Sequence, residues 1–240
     1  MSNIILKAEG VAMHFGGVKA LDGVNFHLRE GELRCLIGPN GAGKTTFFRC
    51  LTGTQKPTFG AITFDGIDVG GRERHEIAAA GIGIKTQIPS LFDGLSVHEN
   101  LWLSLRAEKN LKERERRIDE VLARVGVSDL RHHVLGRMAH GQRQLVELAM
   151  VVASDPKLVL LDEPAAGMTG AEVDRLASII KDLNRSHTVV VVEHDMQFIR
   201  MIADQVTVFH QGKILLEGGV ESVLSNQAVR DVYLGKKHAA

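Results

Sequence analysis

A glycine-rich segment ending in lysine and threonine lies at residues 38–45, directly after the apolar run at residues 33–37. The run predicts a buried strand, and the residues after the segment predict a helix. This order is typical of a phosphate-binding loop, in which backbone N–H groups and the helix N-terminus bind the β- and γ-phosphates. Lys44 would add a positive charge, and the Thr45 hydroxyl would bind Mg²⁺. The segment predicts a nucleoside triphosphate site formed by Gly38, Pro39, Asn40, Gly41, Ala42, Gly43, Lys44, Thr45 and Thr46.

Two carboxylates, Asp162 and Glu163, end a second apolar run at residues 158–161. Such a pair suits a site where Mg²⁺ and an attacking water are held beside a γ-phosphate. We expect Asp162 to bind Mg²⁺, directly or through water, and Glu163 to polarise the water. Acidic residues that merely end a strand are common, but the upstream phosphate loop favours the catalytic interpretation.

The composition is typical of a protein with a full hydrophobic core: 44% of the 240 residues are hydrophobic and 24% are charged. Lys plus Arg equals Asp plus Glu at 29 each, so no overall basic field predicts nucleic-acid binding. Cys35 and Cys50 are expected to be buried thiols. The N-terminus has no signal-peptide pattern, and no stretch approaches the roughly 20 apolar residues that span a bilayer. We therefore expect any role at a membrane to depend on a partner.

Strand and helix patterns divide the chain into three parts. Apolar residues recur with helical spacing from Leu95 to Ser154, and a further helix is predicted through Val173 and Leu183. Strands are predicted at residues 4–9, 24–28, 32–37, 61–64, 157–161, 188–192 and 205–210. The pattern predicts an α/β fold with a parallel-sheet nucleotide core that a helical insertion interrupts.

Over nearly its whole length the chain resembles the nucleotide-binding subunits of ATP-binding cassette (ABC) transporters. The resemblance rests on Phe15, the phosphate loop, Gln87, the segment at residues 138–142, the carboxylate pair and His194, in that order. Each of three residues has a structural alternative when it is considered alone. Gln87 would also suit an ordinary polar loop, His194 the end of a strand, and Phe15 a small hydrophobic core. The order of all six features favours the family.

The resemblance implies a role for each of these residues. Gln87 would reach Mg²⁺ and act with Glu163 and His194 in catalysis, so that Thr45, Gln87 and Asp162 form the metal set. Phe15 would stack on adenine, and residues 165–169 would contact a second cassette. Residues 138–142, which we call the signature segment, would use Ala139, His140, Gly141 and Gln142 to bind the partner's ATP. The segment departs from the family's usual leucine-serine-glycine-glycine-glutamine, since alanine replaces the serine.

The resemblance also implies the architecture and the partners. It predicts one P-loop NTPase domain, with a RecA-like core and an antiparallel β subdomain at residues 1–88 and 155–240. A helical subdomain would occupy residues 89–154, with Trp102 near a groove that faces the permease. ATP and Mg²⁺ would be the cofactors. The expected partners are transmembrane permease subunits, a second ABC ATPase and a solute-binding protein, but no nucleic acid, at the cytoplasmic face of the plasma membrane.

Local sequences narrow the branch of the family. The residues concerned lie at 31–35, 166–169, 191–196 and 232–235, and together they resemble importers of hydrophobic amino acids and of urea or amides, with the urea branch favoured. Lipopolysaccharide-export ATPases are the second possibility. DNA-repair, chromosome and translation members would carry a long coiled coil or a second cassette, which this sequence lacks. A metabolic kinase would not explain Gln87, the signature segment and His194 together.

Overall fold

The computed structural model describes residues 3–87 and 91–234. The predicted subdomain boundary at 88/89 lies outside these ranges, as does Gly235, the last residue of the segment at 232–235. Two sheets form the framework, one with strand order β2-β1-β4-β5 and one with order β10-β9-β3-β8-β7-β6. The strands are β1 (Ile4–Phe15), β2 (Val18–Arg29), β3 (Leu33–Ile37), β4 (Phe59–Phe64), β5 (Ile67–Asp68), β6 (Ile82–Lys85), β7 (Leu158–Asp162), β8 (Thr188–Val192), β9 (Gln205–His210) and β10 (Lys213–Gly219). The helices are α1 (Lys44–Leu51), α2 (Arg74–Ala79), α3 (Val97–Ser104), α4 (Leu111–Arg124), α5 (His140–Val152), α6 (Gly170–Asn184), α7 (Met196–Ile202), α8 (Val220–Ser225) and α9 (Gln227–Leu234).

Parallel pairing joins β9, β3, β8, β7 and β6 in the larger sheet, and β10 adds an antiparallel edge. All five residues of β3, β7 and β8 are buried, as expected for parallel strands covered on both faces. The carboxyl ends of these three strands lie at one edge. The phosphate loop, the carboxylate pair and His194 follow β3, β7 and β8 respectively, so the topology brings all three to that edge.

The smaller sheet is antiparallel, and its strands are longer than the sequence predicts. The predicted strands at 4–9 and 24–28 are parts of β1 and β2, each of which has 12 residues. Register shifts along β1, among them one between Ala8 and Val11, let the strand continue past Gly10. The bulged half of β1 lacks the regular alternation of side chains, which explains why the prediction stopped early.

The predicted helical insertion contains α3, α4 and α5. Side chains cap two of them: Ser96 Oγ accepts from Glu99 N–H before α3, and Asn110 Oδ1 accepts from the first turn of α4. Charged residues of α4 pair with one another on its exposed side, as with Arg116 and Glu113. The Arg114 guanidinium lies over the Trp102 ring, 4.2 Å from its centroid. Helix α5 begins at His140, within the signature segment.

Phe47 of α1 packs between the two sheets. Its ring lies 5.5 Å from that of Phe26 on β2 and 5.3 Å from that of Phe209 on β9. It is 0% exposed. The helix that follows the phosphate loop is therefore held by aromatic contacts to both sheets. Cys35 and Cys50 are free and buried, as the sequence predicts, and Cys50 belongs to the same hydrophobic cluster as Phe47. Within the two described ranges, no helix is both long enough and apolar enough to cross a membrane.

Phe47→Ala should lower the free energy of unfolding by about 3–5 kcal/mol, because it leaves a cavity where the two sheets meet. Leu111→Ala is the control, since Leu111 is 63% exposed and its loss should cost less than about 0.5 kcal/mol. Urea denaturation of both variants measures the difference. Equal losses for the two variants would show that Phe47 does not join the sheets energetically.

Candidate nucleotide-binding and catalytic site

The phosphate loop depends on backbone conformations that favour glycine. Gly38 has φ +147°, and a Cβ there would lie 2.3 Å from the carbonyl oxygen of Phe209. Gly43 has φ +107° and is the N-cap residue of α1, with no side chain to cap the helix. The first N–H groups of α1 are therefore not covered by a capping side chain, which suits an oxyanion at this helix end.

Lys44 is folded back into its own loop. Its ammonium group donates to the carbonyl oxygens of Gly38 at 2.5 Å and Pro39 at 3.1 Å. Burial lowers the pKa of Lys44, whereas the nearby carboxylates of Glu163 and Asp162 act in the opposite direction. Both hydrogen-bond acceptors are neutral carbonyls. A phosphate in the loop would thus meet a partly desolvated cation, to which it would bind more strongly than to an exposed lysine.

Two neighbouring cavities collect most of the predicted site residues. The first, which we call the phosphate-loop cavity, has a volume of about 480 Å³ and is lined by Phe15, Val18, Lys19, Ala20, Asn40, Gly41, Ala42, Gly43, Lys44, Thr45, Thr46, Glu163, Gln211 and Gly212. The second, the carboxylate cavity, has a volume of about 310 Å³ and is lined by Thr45, Phe48, Arg49, Thr52, Thr54, Arg74, Thr86, Gln87 and Asp162. Thr45 lines both. Phe15 is 45% exposed, so its ring lies partly in solvent.

All three residues of the predicted metal set, Thr45, Gln87 and Asp162, line the carboxylate cavity. They offer a hydroxyl, an amide carbonyl and a carboxylate, which are oxygen ligands of the kind that Mg²⁺ prefers. The described residues hold no group of three or more His, Cys, Asp or Glu side chains that could bind a metal alone. This donor set fits a Mg²⁺ ion that also binds substrate phosphates.

The three predicted catalytic residues meet at the carboxylate of Glu163. The Gln87 amide donates to Glu163 Oε2 at 2.8 Å, and His194 Nδ1 lies 3.5 Å from Glu163 Oε1. Glu163 has φ +47°, a left-handed conformation that is uncommon for residues other than glycine. Its N–H donates to the Val192 carbonyl at 2.9 Å, which holds this conformation in place. The strain indicates that the surrounding structure dictates the direction of this side chain.

Glu193 is a site residue that sequence reasoning missed. Its buried carboxylate accepts N–H bonds from Ala165 at 3.3 Å and from His194 at 3.0 Å. Burial raises the pKa of Glu193, although these backbone donors lower it in part. Glu193 therefore joins the loop after Glu163 to the loop that carries His194. Its position directly after β8 was the available signal.

Further residues around the cavities were also missed. Val18, Lys19 and Ala20 come from the start of β2 and form a wall beside Phe15 in the phosphate-loop cavity. Arg49 comes from α1 and lines the carboxylate cavity with Asp162, where its charge favours the ionised carboxylate. These positions depend on the contact between the two sheets, for which the local sequence holds no signal.

Residues 139–142 of the signature segment do not line either cavity. Ala139 is the N-cap residue of α5, and its N–H donates to the side chain of Gln142 at 3.2 Å. His140 Nε2 lies 3.0 Å from the carbonyl oxygen of Ala166. A Cβ on Gly141 would lie 2.1 Å from Glu172 Oε1, so the Glu172 side chain would have to move to accommodate a larger residue. The start of α5 is thus docked on the loop that follows Glu163.

Asp162→Asn should stabilise the protein at neutral pH in the absence of nucleotide and divalent cations. Burial first, and then the charge of Glu163, raise the pKa of Asp162 from 3.8 to about 6. The folded state therefore binds this proton more tightly than the unfolded state, and the stability it contributes is lost as pH rises through about 6. At pH 7 the variant should gain on the order of 1–2 kcal/mol after allowance for partial solvent exposure.

Urea denaturation from pH 4 to pH 8 measures this gain, which should shrink towards pH 4, where Asp162 is protonated. Asp129→Asn serves as the control at an exposed aspartate. An advantage for Asp162→Asn that stays constant across the range would contradict the assignment.

The sequence is similar along nearly its whole length to ATP-binding proteins of transporters. The high-affinity branched-chain amino acid transport ATP-binding protein BraF of Pseudomonas aeruginosa is 36% identical over 254 residues, covering 98% of this chain and 100% of that protein. LivG of Salmonella typhimurium, which has the same description, is 34% identical with the same coverage. The lipopolysaccharide export system ATP-binding protein LptB of Haemophilus influenzae is 35% identical, covering 97% of this chain and 98% of that protein.

Solved structures agree with the fold. The ADP conformation of MJ1267, an ATP-binding cassette of an ABC transporter, matches with a TM-score of 0.88 and 28% identity, covering 98% of this chain and 100% of that one. The dimeric post-hydrolysis state of MJ0796, bound to ADP and Pi, matches with a TM-score of 0.80 and 26% identity, covering 90% and 99%. The family model described as "ABC transporter" matches residues 21–166. The chain therefore belongs to the ABC transporter family, as an ATP-binding subunit with the P-loop fold of an ATPase cassette.

Proposed function

We propose that this subunit hydrolyses ATP at the two cavities described above and thereby drives a membrane importer. The observation that carries the proposal is the convergence of Gln87 and His194 on the carboxylate of Glu163, beside the phosphate loop. A nucleotide-binding protein without hydrolytic function would not need these three side chains together. The resemblance of the fold to transporter cassettes supports the same conclusion.

ATP would lie in the phosphate-loop cavity, with its adenine against Phe15. The N–H groups of residues 38–46 and the Lys44 ammonium would bind its β- and γ-phosphates. Thr45, Asp162 and Gln87 would hold a Mg²⁺ ion, which would supply positive charge beside the phosphates. Because burial raises the pKa of Asp162, this carboxylate would gain from a nearby cation more than an exposed one would.

Glu163 would polarise the attacking water, and its neighbours would set its direction. The Gln87 amide holds one carboxylate oxygen, which leaves the other to face the water and His194. His194 would contact the γ-phosphate, and this contact would form with ATP but not with ADP. Its side chain is 63% exposed, which leaves it accessible to a nucleotide.

Two cassettes would pair head to tail, so that the signature segment of each meets the ATP held by the other. The separation of residues 139–142 from the chain's own cavities supports this arrangement. The exposed start of α5 would direct its N–H groups and its positive dipole end at the partner's γ-phosphate. The dimeric state of MJ0796 supports pairing, and the second subunit would be a copy of this chain or a related ATPase.

At the cytoplasmic face of the plasma membrane, the pair would rest against transmembrane permease subunits and act with a solute-binding protein. Closing on ATP and reopening after hydrolysis would move the permease. We propose that the cargo is either branched-chain amino acids or urea and amides. The similarity to BraF and LivG supports the first of these, branched-chain amino acids. A lipopolysaccharide-type exporter is the second candidate, because LptB is 35% identical.

Isolation of the intact complex tests the assembly and the cargo. We expect permease subunits to co-purify, and the reconstituted complex to take up radiolabelled leucine or urea when ATP is supplied on the side of this subunit. Uptake of neither solute, with ATP turnover stimulated by lipopolysaccharide, would favour the exporter. Co-purification with ribosomes or DNA would contradict both transporter assignments.

Glu163→Gln should cut hydrolysis by a factor of at least about 10² while ATP affinity stays within about twofold, because the phosphate contacts are unchanged. ATP should then trap a stable dimer, detectable by size-exclusion chromatography. Lys44→Ala is the complementary variant and should lose ATP binding itself. Hydrolysis at the unmodified rate by Glu163→Gln in the assembled complex would refute the role of Glu163, and tight ATP binding by Lys44→Ala would refute the phosphate-loop assignment.

Ala139→Ser should strengthen ATP-dependent closure, because it restores the hydroxyl that the family usually places against the partner's γ-phosphate. A hydrogen bond to a charged group contributes about 1.5–3 kcal/mol. ATP affinity of the isolated chain should not change. Ala139→Asp is the matched control, since aspartate also caps α5 but its charge would repel the phosphate. Unchanged ATP turnover by Ala139→Ser in the complex would show that backbone donors near Gly141 suffice.

A further inference from the structure

A deeply buried ion pair joins the larger sheet to the helix that carries the signature segment. The Lys85 ammonium lies 3.1 Å from the Glu147 carboxylate, and the two side chains are 3% and 6% exposed. Lys85 is the last residue of β6, and Glu147 lies about two turns into α5. Among the ion pairs of residues 3–87 and 91–234, no other has both partners so well buried.

Stability alone does not explain why two charges are buried here. Desolvation offsets most of the attraction within a buried ion pair, so apolar residues of similar size often replace such pairs without loss of stability. Strand β6 and helix α5 also touch through apolar atoms: a Cβ on Gly83 would lie 2.9 Å from a methyl group of Val151. The ion pair therefore adds direction to a contact that packing already provides.

Lys85 lies beside both parts of the hydrolytic site. It is in register with Leu161 on β7, the residue before Asp162, and its charge favours the ionised form of Asp162. Two residues after Lys85, the Gln87 amide donates to Glu163 Oε2 at 2.8 Å. A change in the position of Lys85 would thus alter the position of Asp162 through the sheet and that of Glu163 through Gln87.

Glu147 lies on the same face of α5 as His140 and Gln144, since the three are spaced at i, i+4 and i+7. Gln144 is buried, and its amide lies 3.3 Å from His140 Nε2. His140 in turn contacts the carbonyl of Ala166, three residues after Glu163. One polar stripe of α5 therefore contacts the core on both sides of Glu163, through Lys85 and through Ala166.

We propose that Lys85 and Glu147 are positioning residues that couple the angle of the signature helix to the hydrolytic site. The buried pair fixes α5 against the end of β6, so that the signature segment can meet a partner's ATP only when Gln87 is correctly placed on Glu163. This inference rests on the hydrolytic role proposed above. It requires hydrolysis, but not ATP binding, to depend on the pair, because Lys85 and Glu147 are not among the residues that line the phosphate-loop cavity.

The test is the double variant Lys85→Met/Glu147→Met, assayed as ATP turnover of the assembled complex. We expect kcat to fall at least tenfold, the Kd for ATP of the subunit to stay within twofold, and the urea midpoint to be unchanged or raised. Lys85→Arg/Glu147→Asp keeps an ion pair of similar total length and should retain kcat within threefold. Leu148→Ala, a buried apolar change on the same helix, should lower the urea midpoint without changing kcat.

Wild-type kcat in the Met/Met double variant would overturn the inference. Loss of folding or of ATP binding in that variant would also overturn it, since the pair would then serve stability alone. Glu163→Gln separates this inference from the proposed function. If Glu163→Gln hydrolyses ATP normally, the proposed function fails; if only the Met/Met variant does, the function stands and the positioning role fails.

Discussion

Parallel pairing of β3, β7 and β8 is the constraint on which the site depends. These strands are buried throughout, and the predicted site residues lie at or directly after their carboxyl ends. The pairing puts the phosphate loop, the carboxylate pair and His194 at one edge, although 150 residues separate Lys44 from His194 along the chain. A shift of one residue in any of these registers would turn every side chain of that strand to the opposite face, so the site and the core are specified together.

The same edge concentrates charges that the neighbouring protein groups compensate only in part. Asp162, Glu163 and Glu193 lie close together, and burial raises the pKa of both Asp162 and Glu193. Burial also lowers the pKa of Lys44 nearby. Each of these shifts means that the charged form is less stable than it is in water. A nearby Mg²⁺ ion would stabilise the buried carboxylates, and phosphates would stabilise the Lys44 ammonium. Substrate binding would therefore have an electrostatic driving force in addition to the direct contacts.

Local chemistry made much of the site predictable, and long-range pairing determined the rest. The phosphate loop and Asp162 follow from residue type and spacing, and the alternation of strands and helices indicated the parallel core. The left-handed backbone of Glu163 depends on its bond to Val192 at the end of β8, and its side-chain bond to Gln87 depends on β6 lying beside β7. Strand β6 was not predicted because Gly83 interrupts its short apolar pattern. Helices α2, α7, α8 and α9 were missed for a related reason: each is short, so tertiary packing rather than local periodicity specifies it. Strands β5 and β10 were also not predicted.

Helix α5 shows how the fold connects the signature segment to the chain's own candidate site. Its apolar residues pack into the main core, but the stripe of His140, Gln144 and Glu147 makes polar contacts with directional geometry. A helix held by apolar packing alone can tilt with little cost, because dispersion contacts are not directional. Hydrogen bonds and ion pairs weaken steeply with misalignment, so the polar stripe permits few orientations. The positioning role proposed for Lys85 and Glu147 therefore has a physical basis in the contacts of one chain.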